Sequence, residues 1–198
     1  MSLEQIIEKN KYSQAFSVAI YNVLKWEGGL TDDKDDRGGL TNYGISRLFV
    51  EANEKVLRQE GIMTEDSIDE FLYNLDIEKA VQIYHRFFWK PIQADELPYP
   101  INVYVFDMAV NMGIHQAIKI LQRATNEVSD DFALVIDGII GKNTINAVNS
   151  IENISYLFLE LVSQRVKFYV SISRKGNNIK FLKGWINRTL SYNYLIKK

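Results

Sequence analysis

Residues 26–45 read WEGGLTDDKDDRGGLTNYGI, and the rest of the chain is best read outward from them. Just upstream, Ser13 suits a helix cap, and Phe16, Ile20, Val23 and Leu24 recur at three- and four-residue steps. That spacing predicts an amphipathic helix from Ser13 that stops at Gly28-Gly29, since glycine readily ends a helix. Segment 30–45 is then polar and glycine-bearing, with two short pieces able to pair as a small hairpin. Glu27 falls at the helix C-terminus, where unpaired carbonyls disfavour a carboxylate. Burial against Trp26 would add to that repulsion and favour the protonated form, the property a general acid needs. The alternative is a solvated glutamate near a helix end.

Downstream the periodicity stays helical. Ser46 restarts a helix to about Gln59, Ser67-x-x-Glu70 is a capping box, and Asp76 caps a helix to about Trp89 that Pro91 terminates. Pro98 and Pro100 mark a lobe boundary. Residues 101–112 and 114–125 read as helices parted by Gly113, followed by a turn at Asp137-Gly138 and a short helix over 143–149. Two more helices are expected over 155–173 and 179–195. The fold class is mainly α, with one small hairpin or loop after the first helix.

Composition narrows the chemistry. The chain has 198 residues, no Cys and two isolated histidines, His85 and His115. These numbers exclude a disulfide framework, a thiol nucleophile and a multi-His metal site, so no metal or cofactor is expected and catalysis falls to carboxylates. Asp36 lies nine residues beyond Glu27, followed by Gly38-Gly39 and Thr41. Glycosidases set two carboxyl groups across the scissile bond, and a helix end followed by a glycine-rich hairpin can supply both. The alternative for Asp32, Asp33, Asp35 and Asp36 is a hydrated acidic loop; the calcium-loop spacing and its closing Glu are absent.

Several motifs recur in a fixed order: WEGG at 26–29, DRGG at 36–39 and TNYGIS at 41–46. They continue as Tyr84-His85-Arg86-Phe87-Phe88-Trp89, FDMAVNMG at 106–113, Leu121-Gln122-Arg123-Ala124, DGIIGKNT at 137–144 and Gly184-Trp185-Ile186-Asn187-Arg188. Together they resemble the N-acetylmuramidases of glycoside hydrolase family 108, over about residues 13–190. The resemblance implies a lysozyme-like, two-lobed helical fold. Residues 1–97 would form the catalytic lobe, and residues 98–198 a peptidoglycan-binding region packed on it. It implies hydrolysis of the β-1,4 bond between N-acetylmuramic acid and N-acetylglucosamine, with Glu27 as general acid. Asp36 and Thr41 would position or activate water, by similarity to phage-type lysozymes. The Asp-to-Thr interval is one residue shorter than in those enzymes, so Thr41 has support of the turn as its alternative role.

Tyr43 is expected to pack on a pyranose face, and Asn111 to bond an acetamido group or simply to end a helix before Gly113. Asp137-Gly138 reads as a structural turn, and His85 and His115 as surface or satisfied residues rather than ligands. Residues 161–198 hold nine basic residues and no acid, against 14 bases and 25 acids before them. Either an anionic partner meets the basic end or that end folds back on the acidic body. The expected partner is the peptidoglycan strand, met by a monomer with no nucleic acid and no membrane span. No signal peptide is visible in the sequence, so the protein is expected to be made in the cytoplasm and to reach the wall through a holin or secretion system. The rival function is a non-catalytic wall-binding or secretion-accessory protein.

Overall fold

A computed structural model describes residues 1–28, 30–32, 40–131 and 133–196. Packing divides them into two compact units, 1–87 and 88–198.

The first unit begins with α1 (Leu3–Lys9), a helix not expected from the sequence. It is closed by a capping box in which the Ser2 hydroxyl accepts from the Gln5 N–H and the Gln5 side chain accepts from the Ser2 N–H. Helix α2 (Gln14–Trp26) starts at Ser13 as expected and buries Phe16, Ala19, Ile20 and Val23 on one face. A three-stranded antiparallel sheet comes next: β1 (Thr31–Asp32), β2 (Leu40–Asn42) and β3 (Ile45–Ser46), with β2 in the middle. Thr31 lies opposite Thr41, and Asn42 opposite Ile45.

Ser46, Ser67 and Asp76 then cap α3 (Arg47–Gln59), α4 (Ile68–Tyr73) and α5 (Ile77–Tyr84), each accepting a backbone N–H of its helix. The last helix does not run evenly to Trp89. It widens into a π-turn over His85–Trp89. Phe71, Leu72, Val81 and Ile83 join Ile6, Phe16 and Ile20 in the core, each worth roughly 1.5–3 kcal/mol of apolar burial.

In the second unit, Trp89 meets Phe106 edge-on at 5.5 Å and Ile92 is fully buried, so residues 88–97 pack with the helical body of this unit. Helix α6 (Ile101–Met112) is buried continuously from Ile101 to Ala109, the pattern of a central helix wrapped by others. Helices α7 (Ile114–Val128) and α9 (Ile154–Ser173) pack on it, α10 (Leu182–Leu190) reaches it through Arg188 and Asp107, and α8 (Lys142–Asn149) packs on α7. The helix expected over 179–195 is broken: short 3₁₀ turns at Asn178–Phe181 and Asn193–Ile196 flank α10. Its end is set where the Ser191 hydroxyl donates to the Arg188 carbonyl and Tyr192 turns fully inward. Among the described residues no helix is long and apolar enough to cross a membrane. The mainly α class, with one small sheet after the Ser13 helix, is the fold found.

Candidate active site

Glu27 is delivered by the last turn of α2. Its N–H still donates to the Val23 carbonyl at 3.1 Å, its φ and ψ of −85° and 0° end the helix, and Gly28 at φ +61° turns the chain away. The Glu27 side chain is half-buried, while neighbouring Trp26 is exposed.

The β2–β3 turn closes on this carboxyl group. Only Tyr43 and Gly44 join the strands, at φ values of 49° and 76°, as in the two-residue turn whose twist matches that of paired strands. Position 44 admits no side chain. A β-carbon there would lie 2.6 Å from Tyr84 Oη and 2.8 Å from both Cβ and Oε2 of Glu27. The turn backbone is therefore pressed against Glu27, with the Tyr84 hydroxyl crowding the same spot. Tyr84 is buried on α5 and donates its hydroxyl to the Tyr43 carbonyl at 2.9 Å. That bond helps hold Tyr43 in a left-handed conformation costing a non-glycine residue roughly 1–2 kcal/mol. From below, the Asn42 amide donates to the Leu72 and Leu75 carbonyls at 2.9 and 3.2 Å and fixes the turn to the end of α4.

The other expected site residues are spread more widely. Thr41 sits half-buried on the central strand, opposite Thr31 and Ser46. Asp36 lies outside the described residues, as do Asp33 and Asp35; Asp32 is in β1. Asn111 belongs to the second unit, on the last turn of α6, where its Oδ1 accepts the Tyr169 hydroxyl proton. The His85 ring packs against Tyr12 and Phe16 at 4.2 and 4.8 Å. Among the described residues no cluster of His, Asp and Glu is arranged to hold a metal ion.

Two groups had no role assigned from sequence. Tyr84 was visible only as a motif letter, although a two-residue Tyr-Gly link between short strands signals a turn that needs an anchor. Asp107 is the second. Fully buried on α6, it accepts from Arg165 at 2.6 Å and from Arg188 Nε at 2.8 Å. Burial pushes its carboxyl up, but the two guanidinium groups outweigh that and hold it below the usual carboxylate range. Tyr104, Tyr169 and Tyr192 surround the cluster, each hydroxyl pushed up by burial. This cluster is a structural knot. It ties the FD of one motif to the final Arg of another.

A family model described as glycosyl hydrolase 108 matches residues 20–113, and one described as a predicted peptidoglycan domain matches residues 116–190. Among solved structures the chain is similar to SagA of Brucella abortus, at 27% identity and a TM-score of 0.67, covering 89% of this chain and 90% of that one. Comparison with curated proteins finds no match.

Proposed function

We propose that the chain is a member of the glycosyl hydrolase 108 family, whose model matches residues 20–113 ahead of a peptidoglycan-domain match, and that Glu27 is its catalytic acid. The protein is a glycoside hydrolase of lysozyme type that cleaves peptidoglycan between N-acetylmuramic acid and N-acetylglucosamine. A retained hydrolase module followed by a peptidoglycan domain favours this over binding without cleavage.

In the proposed mechanism Glu27 protonates the glycosidic oxygen as the bond breaks. Asp36, with Thr41, orients or activates the attacking water, and Tyr43 packs its ring on a sugar face. Asn111 donates from Nδ2 to an acetamido carbonyl, its Oδ1 being engaged by Tyr169. Residues 1–97 carry the chemistry in this reading and residues 98–198 hold the wall, although the hydrolase match continues through α6 to residue 113. The protein works as a monomer on a substrate outside the cytoplasmic membrane, so a holin or secretion system is the proposed route to it.

The observation that carries the assignment is the fit of the Tyr43-Gly44 turn against the Glu27 side chain. A solvated helix-end glutamate needs no such wall. Glu27→Gln is expected to keep the fold and abolish lysis of purified peptidoglycan; full lysis by that variant would sink the assignment. Asp36→Asn should lose most of the rate, and an unchanged rate would move the base to Asp32, Asp33 or Asp35.

A further inference from the structure

The second unit spends buried polar groups on holding an exposed loop. Gln122 on α7 is 2% exposed, yet its amide makes three bonds to segment 137–139. It donates to Asp137 Oδ1 at 2.8 Å and to the Ile139 carbonyl at 3.1 Å, and accepts from the Gly138 N–H at 2.9 Å. One turn on, Asn126 grips Leu134 through both backbone groups, each at 2.9 Å. Asp137 completes the frame by accepting from the Ile139 N–H at 2.8 Å. At Gly138, φ is +78° and a β-carbon would lie 2.6 Å from the His115 ring, so the loop backbone is also seated closely on the start of α7.

This frame displays an apolar surface. Val135 is 74% exposed and Ile139 67%, a poor use of aliphatic side chains unless something covers them. Between this loop and the start of α8 lies a cavity of about 380 Å³. Leu134, Val135 and Ile139 form aliphatic walls, and Asp137 and Lys142 bring one charge of each sign.

The geometry points to this cavity as a binding site for the stem peptide of peptidoglycan rather than for its glycan. The inference deepens the wall-binding reading of residues 98–198 and rests on it. Sugar rings are gripped by flat aromatic faces, and none is among the described lining residues. A stem peptide instead offers alanine methyl groups to aliphatic walls, together with carboxylates and, in many walls, a side-chain ammonium group. Lys142 and Asp137 match those two charges. A loop fixed before binding loses little conformational freedom when the peptide arrives.

The test uses the full-length Glu27→Gln protein, labelled for NMR, with two soluble probes: a synthetic stem pentapeptide ending in D-Ala-D-Ala, and an N-acetylglucosamine tetramer. The peptide is expected to shift the amides of residues 133–144 and the Gln122 side chain, and the tetramer to leave them in place. Val135→Asp and Lys142→Glu, both on exposed positions, should each weaken the peptide titration at least ten-fold, with thermal unfolding checked alongside. A peptide that leaves 133–144 unmoved overturns the proposal, and so does a tetramer that shifts them. The wall-binding reading fails separately, through loss of retention of the Glu27→Gln protein on insoluble peptidoglycan, so the two failures are told apart.

Discussion

At the scale of single residues, Gly44 is the most constrained glycine among the described residues beside the proposed acid. Its left-handed φ alone makes alanine cost roughly 1–2 kcal/mol, and the new methyl group would collide with Tyr84 and with Glu27 itself. Gly44→Ala should therefore reduce wall hydrolysis on the order of 100-fold, as misplacement of a reacting group by about 1 Å does, together with a loss of stability. Parallel measurement of kcat and thermal unfolding checks this; an unchanged kcat would separate the turn from catalysis. Glu27 was legible in the sequence because a helix end and a glycine pair fix its place. The wall around it was not. Tyr84 lies 41 residues from its acceptor Tyr43, and no local pattern announces a contact of that range.

At the scale of elements, caps and periodicity made most of the fold legible. Ser13, Ser46, Ser67 and Asp76 each start the helix expected of them, because a cap is a contact between residues three apart. The same logic applies at Ser2-x-x-Gln5, where α1 begins. What failed was the evenness of long helices. The turn beyond Tyr84 widens just before the buried Trp89, and the 179–195 segment breaks beside the buried Tyr192. The pairing of α6 with α9 and α10 through Asp107 was equally hidden, since its partners stand 58 and 81 residues away. Asp107→Asn should destabilise the protein by about 3–5 kcal/mol, because two buried guanidinium groups lose their counter-charge. The Asp107 carboxyl is held below its unfolded range, so its contribution is present above that range and fades as pH falls through the folded value. Denaturant melts across acidic pH should show a shallower acid limb in the variant than in the parent; parallel limbs would contradict this.

For the whole molecule, the uneven charge resolves into two parts. Arg165 and Arg188, from the all-basic final segment, turn inward to one carboxylate, which is the folding-back alternative in part. Arg174, Lys175, Lys180 and Lys183 remain on the same segment, available to an anionic wall. Replacing Lys175, Lys180 and Lys183 by Gln should weaken retention on insoluble peptidoglycan at low salt and flatten its salt dependence. Identical salt curves for parent and variant would assign these charges to solubility alone. Composition directs the chemistry to carboxylates, and the hydrolase and peptidoglycan-domain matches account for most of the chain's length.

Cleavage of peptidoglycan by a muramidase with Glu27 as its acid leaves N-acetylmuramic acid at each new reducing end. Mass spectrometry of the soluble muropeptides released from purified wall, after borohydride reduction to mark the new chain ends, reads this outcome. The parent protein is expected to release fragments ending in reduced N-acetylmuramic acid, and the Glu27→Gln protein none. Fragments ending in reduced N-acetylglucosamine, or the same fragments from the Glu27→Gln protein, would contradict this.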